Sequence, residues 1–204
     1  AAAPKCPSRP NKHIRSSSGR FPTSPARLWQ CRTGLAGRVS AFQYASFAMK
    51  VSKRGEYALR ALIDLGIAAE LGRPMLRAQE IVARENLPKG FLDQILMQLR
   101  KAGLIGTKRG KHGGYYLNKP MDSISLGQVV RLVDGPLAPI RCVSQSKYEK
   151  CSCPDENTCG LRMVMLEVRN SIAGILDRHT LADTVRGSLA KMRACGTKLP
   201  YETT

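Results

Sequence analysis

Between Ser52 and Leu117 the spacing of apolar residues changes once, from helical to alternating, and that change leaves few folds open. The stretch Ser52 to Leu71 carries Tyr57, Leu59, Leu62, Ile63, Leu65, Ile67 and Leu71, a broad helical stripe. Ser52 is placed to cap its start, and Gly72-Arg73-Pro74 stops it. A short helix over Arg77 to Arg84 turns Ile81 and Val82 inward, and Glu85-Asn86-Leu87-Pro88 makes a turn. The next helix, Lys89 to Lys101, has Phe91, Leu92, Ile95, Leu96 and Leu99 on one side. Its opposite side shows Lys89, Asp93, Gln94, Met97, Gln98 and Arg100, and Gly103 ends it. Then Leu104 to Lys108 reads as a strand, Arg109 to Gly114 as a glycine-rich turn, and Tyr115 to Leu117 as a returning strand. Helix, short helix, turn, helix, hairpin is the order of a winged helix-turn-helix. The expected fold class is mainly α, with a small β-hairpin wing and a long C-terminal dimerisation helix.

That helix opens at Leu161, beyond a short helix over Ser125 to Val133 closed by Asp134-Gly135-Pro136. Leu161, Val164, Met165, Val168, Ile172, Ile175 and Leu176 form an a/d-like seam over about two heptads. Such a seam following a small domain predicts pairing of two chains; packing on its own domain is the competing reading. Thr180 caps a last helix to about Met192, and the tail from Cys195 reads as unstructured. The domain reading is a disordered basic extension over 1–48, a winged-helix domain over 49–138, a cysteine loop over 139–160, dimerisation helices over 161–193 and a flexible tail over 194–204. Met49 is read as the start of the ordered protein. The preceding Arg- and Ser-rich, acid-free segment also resembles an organellar transit peptide.

Charge distinguishes these parts. The chain carries 33 Lys and Arg against 15 Asp and Glu, a net +18. Residues 1–48 and 49–120 each contribute +8, and residues 121–204 only +2. A basic surface concentrated on the winged-helix segment suits a nucleic acid. An anionic membrane would want a basic amphipathic helix with large exposed apolar residues, which is not seen. No apolar run approaches the roughly 18 residues of a membrane span, so the expected location is the cytoplasm. No Ser-His-Asp arrangement, paired carboxylates in an apolar setting or phosphate-cradling loop points to an enzyme.

On this reading the helix Lys89–Lys101 enters the major groove of double-stranded DNA. Asp93 is matched to a cytosine amino group and Gln94 to adenine, while Lys89 and Arg100 hold phosphates. Arg109, Lys111 and His112 at the hairpin tip suit the negative minor groove, and Arg54 and Arg60 add backbone contacts.

The stretch Cys142 to Cys159 holds four of the seven cysteines in a polar segment with a Pro-Asp turn. Thiolates ligate iron–sulfur clusters and zinc. Cys142, Cys151, Cys153 and Cys159 lack the two close pairs usual for zinc. Their spacing favours a labile iron–sulfur cluster and leaves zinc or bare redox thiols open.

The motifs MKVSKRGEYALRAL, FLDQILMQLRKAGLIGTKRGKHGGYYL and CPDENTCGLRMVMLEVR, running into ILDRHTLADTV, cover Met49 to Val185. Together they resemble the Rrf-two type of winged-helix transcriptional regulators, the IscR/NsrR-like family. The resemblance implies a homodimeric repressor on a palindromic operator, sensing redox state, nitric oxide or iron–sulfur status. It also implies three loop cysteines around a cluster, 2Fe–2S in preference to 4Fe–4S. The five-residue gap between Cys153 and Cys159 matches the family's second and third ligands, and Cys142 corresponds to the first. Arg162 stands where some members have a ligating histidine, and arginine cannot ligate. The fourth ligand is then Glu56 from the partner, by resemblance, or Cys151 from the same loop. A zinc-bound or thiol-switched adaptor acting through protein partners is the alternative.

Overall fold

The structure is a computed structural model that describes residues 51–201 except His112. The expected disorder of 1–48, Cys6, Cys31 and the proposed minor-groove residue His112 therefore lie outside the described residues. Six α-helices and one hairpin are described. They are α1 (Lys53–Glu70), α2 (Ala78–Glu85), α3 (Lys89–Lys101), β1 (Ile105–Lys108), β2 (Gly114–Leu117), α4 (Leu126–Asp134), α5 (Gly160–Arg178) and α6 (Leu181–Ala194).

Ser52 and Thr180, chosen from sequence as caps, do form them, and Ser125 caps α4 as well. The Ser52 hydroxyl accepts from the Gly55 amide, that of Ser125 from Gln128, and that of Thr180 from Asp183. Asp183 reaches back to the Thr180 amide and closes a capping box. The strands pair antiparallel, with Ile105 opposite Leu117 and Lys108 opposite Gly114. Leu76 adds a bridge to Tyr115, its amide donating at 3.0 Å and its carbonyl accepting at 2.8 Å. The hairpin is thereby tied to the segment entering α2, the arrangement of a winged helix.

The central element is α1. Ala58, Ala61, Leu62, Leu65, Ile67 and Ala68 are fully or almost fully buried, and α2, α3, α4, α6 and β2 all pack on this helix. Small residues let that many neighbours approach one helix. Leu92, Ile95, Leu96 and Leu99 of α3 fill the core from one side, and Leu181, Val185 and Leu189 of α6 from another.

Two parts depart from the sequence reading. The helix α6, grouped above with the dimerisation helices, spends its apolar face inside its own chain, against α1. The tail beyond Cys195 is not free of the fold. Leu199 and Tyr201 pack on the core, and the Tyr201 ring lies 5.2 Å from the Arg84 guanidinium and 5.7 Å from that of Arg73.

Candidate functional site

The exposed face of α3 carries Lys89, Asp93, Gln94, Met97 and Arg100. Its inner face is committed to the core, so these residues are held on a rigid support. Arg109 and Lys111 are exposed at the tip of the hairpin. Among the described residues, the side chains of Lys89, Arg100, Arg109 and Lys111 enter no ion pair. Uncompensated cations on a helix and an adjoining hairpin are what a polyanion needs.

Gln98 departs from the sequence reading, and Arg60 and Arg54 have surroundings that the sequence did not show. Gln98, set there on the outward side of α3, is half-buried and donates to the Leu132 carbonyl at 2.8 Å. Arg60 is not idle: it lies 3.6 Å from Glu56 and 3.5 Å from Glu85. Arg54 is half-buried, and its Nε is enclosed without a hydrogen-bond partner. The sequence reading also passed over Arg77, which precedes α2 and donates to the Lys111 carbonyl at 2.5 Å, bracing the hairpin tip. The signal available was its position as the residue before α2.

The cysteine loop leads into the first turn of α5. Cys153 and Cys159 have sulfurs 3.8 Å apart, and Cys151 is joined to Cys153 in a disulfide. Cys142 is buried, at 4% exposure, in a short 3-10 turn (Arg141–Val143) that packs against α5. Glu156 organises the loop from within, accepting from the Cys151 amide at 2.9 Å and from the Tyr148 hydroxyl at 2.5 Å. Those hydrogen bonds, the Tyr148 hydroxyl's first, hold the Glu156 carboxyl below the usual carboxylate range. Asp155 accepts from the Asn157 amide at 3.0 Å and the Thr158 hydroxyl at 2.9 Å, an Asx turn before Cys159.

The fit to a metal group can be tested on this geometry. Four thiolates about 2.3 Å from one tetrahedral ion stand about 3.8 Å from each other. Cys153 and Cys159 are spaced as two vertices of such a tetrahedron. A sulfur in a disulfide does not ligate, so Cys153 serves only when its bond to Cys151 is reduced. Among the described residues no three His, Cys, Asp or Glu side chains are grouped to hold an ion, so the remaining donors are not assembled in the single chain. Glu56 sits on the surface of α1, 2.7 Å from the Lys53 ammonium. That hydrogen bond lowers its pKa and keeps it an ionised carboxylate.

A set of long-range contacts ties this end of the molecule to α3. In α5, Asp177 receives Arg131 of α4 through two hydrogen bonds of 2.5 and 2.8 Å. One residue on, Leu132 receives Gln98. Two further on, Asp134 accepts from the Ser52 amide at 2.8 Å and from the Ser52 hydroxyl, placing negative charge at the start of α1. Glycines make room for both carboxylates. A Cβ at Gly55 would collide with Asp134, and one at Gly127 with Asp177.

Exposed cations on a core-anchored helix and on an adjoining braced hairpin are the arrangement of a winged-helix, DNA-binding transcription regulator. The chain matches the Rrf2 family, described as an iron-dependent transcriptional regulator, over residues 51–187, and it belongs to that family. It is 42% identical over 135 residues to an rrf2-like HTH-type transcriptional regulator from Rhodobacter capsulatus, covering 65% of this chain and 90% of the relative. Its fold is similar to that of CymR, the global cysteine regulator of B. subtilis, at TM-score 0.57 and 28% identity over 68% of this chain and 97% of that one. It is also similar to T. potens IscR, at TM-score 0.53 and 29% identity over 68% and 88%. These are regulators rather than enzymes. No described helix is long and apolar enough to cross a membrane.

Proposed function

We propose that the protein is a homodimeric, cytoplasmic repressor that binds a palindromic operator and senses cellular redox or iron–sulfur status through its cysteine loop. The observation that carries the sensor is the 3.8 Å spacing of the Cys153 and Cys159 sulfurs, that of two thiolates on one tetrahedral metal. Cys142, Cys153 and Cys159 would hold the cluster, with Glu56 of the partner subunit or Cys151 as fourth ligand. A 2Fe–2S centre accommodates such mixed thiolate and carboxylate ligation. When bound, the group supplies a redox- and nitric-oxide-sensitive centre. The chain's own residues position the thiols at the start of α5 and transmit their state to α3.

Anaerobic purification tests this reading. A brown protein with matched iron and sulfide, whose iron is lost in Cys153→Ser, is the expected result. Reduction should then give the electron paramagnetic resonance signal of a 2Fe–2S centre. Colourless protein after anaerobic reconstitution would sink the cluster.

A second reading is favoured by the Cys151–Cys153 disulfide. In it the loop is a cluster-free thiol switch, with or without zinc, and acts through protein partners as well as DNA. Thiol counting on iron-free protein with and without reductant separates the two.

Docking on DNA is tested by substitution. Arg109→Ala should weaken binding to all sequences and reduce the salt slope by about one, while Gln94→Ala should relax preference at one base pair for a cost of about 1–3 kcal/mol. Unchanged affinity and selectivity in both variants would remove α3 and the hairpin from the interface.

A further inference from the structure

Beneath the segment that joins α4 to the cysteine loop lies a cavity of about 160 Å³ that the family fold and the thiols leave without a role. Its polar lining is Arg131, Arg169, Gln145 and Ser146, and its apolar wall is Pro136, Leu137 and Ala138. It adjoins a wider space of about 330 Å³ that shares Arg131, Pro136 and Ser146 and adds Lys147 and Asp134. The one acid there, Asp134, is already turned to Ser52.

Arg169 is the informative residue. It is half-buried on α5, its Nε is fully enclosed, and that atom has no hydrogen-bond partner. A buried donor left unpaired costs free energy, so such a group usually has a partner. None of the nine ion pairs among the described residues involves Arg169. A guanidinium presents a fork matched to a carboxylate or phosphate. The apolar wall decides between them, because an inorganic phosphate gains nothing from it and a carboxylate with a short carbon tail does. The space equals about five liquid waters at ~30 Å³ each, which suits a small organic acid.

We propose that this cleft is an effector site for a small carboxylate, gripped by Arg169 and Arg131 and seated against Pro136, Leu137 and Ala138. The site is wired to the DNA-reading helix. Arg131 is shared with Asp177, and its neighbour Leu132 holds Gln98 of α3. A ligand that draws Arg131 from Asp177 changes the support of α4 and, through Gln98, the setting of α3. Loop and cleft then give the regulator two inputs, one from the thiols and one from a metabolite.

The full chain is tested by thermal melting and calorimetry with butyrate, pyruvate or inorganic phosphate at constant ionic strength. Butyrate and pyruvate should raise the melting temperature and phosphate should not. Arg169→Gln should weaken carboxylate binding roughly ten- to a hundredfold, the range for losing a charged hydrogen bond. Ala138→Leu, which fills the cavity and removes no charge, should abolish binding. The proposal is overturned if neither carboxylate binds, if phosphate binds as well as they do, or if either variant retains wild-type affinity. The effect on DNA rests on the role given to α3, but melting and calorimetry do not, so the two can fail separately.

Discussion

Asp64 is an acid set in the wall of an otherwise apolar core, at 1% exposure on the face of α1 that meets α2. Burial pushes its carboxyl up from 3.8 to about 7, against the pull of the Arg84 guanidinium 3.2 Å away. Its Oδ2 and the Tyr201 hydroxyl are both enclosed without a hydrogen-bond partner. The consequence for stability has a definite sign. Between the unfolded value of 3.8 and the folded value of about 7, the native state holds a proton that the unfolded chain releases. The contribution of Asp64 to stability is therefore greatest below that window, falls as pH rises through it, and levels off above it. Each pH unit inside the window is worth up to ~1.4 kcal/mol. Urea unfolding should show wild-type protein losing stability from about pH 4 to about pH 7 relative to Asp64→Asn, which has no such proton. Parallel stability curves for the two proteins would show that Asp64 is ionised throughout.

Among the elements, α5 is the one left incomplete by its own chain. Leu161, Val164 and Ile175 are 61%, 55% and 51% exposed, and Ala173 is its one buried residue. An apolar stripe of this length facing water is the surface on which the proposed pairing of two copies rests. Val164→Glu and Ile175→Glu should leave the helical content unchanged and halve the mass seen by sedimentation. A monomeric wild type, or dimeric variants, would remove α5 from the interface. The helices were legible in the sequence because caps and period are local. Ser52, Ser125 and Thr180 each sit beside the backbone they cap, and the apolar face of α3 reads directly from Leu92, Ile95, Leu96 and Leu99. The thiols and exposed cations of the site were legible for the same reason, since residue type and spacing mark them. What could not be read is what depends on distant partners. Gln98 looks like any surface glutamine until Leu132, 34 positions away, supplies a carbonyl. Asp134 accepts from Ser52, the cap of α1, which lies 82 positions earlier. The burial of α6 and the anchoring of Tyr201 likewise depend on where α1 and Arg84 stand in space.

At the scale of the molecule, α4 is the short strut on which the proposed sensing end and the proposed reading end meet. Three contacts leave its last turn. Arg131 goes to α5, Leu132 to α3, and Asp134 to the start of α1. Thiol chemistry at the head of α5 can alter DNA binding only if the two loop states differ in free energy between two settings of α3. The strut is the path that the proposed coupling would take. Asp177→Asn tests it, because Asn keeps the size of the side chain and removes the charge that holds Arg131. Couplings between such sites are typically ~5–150-fold in affinity. Operator affinity of wild-type protein should differ by a ratio in that range between oxidised and reduced loops. In Asp177→Asn the ratio should fall toward one, with iron content, thiol count and intrinsic affinity of one state preserved. Equal ratios in both proteins would move the coupling off α4 and onto the dimer interface, where a ligand from Glu56 of the partner subunit would carry it directly.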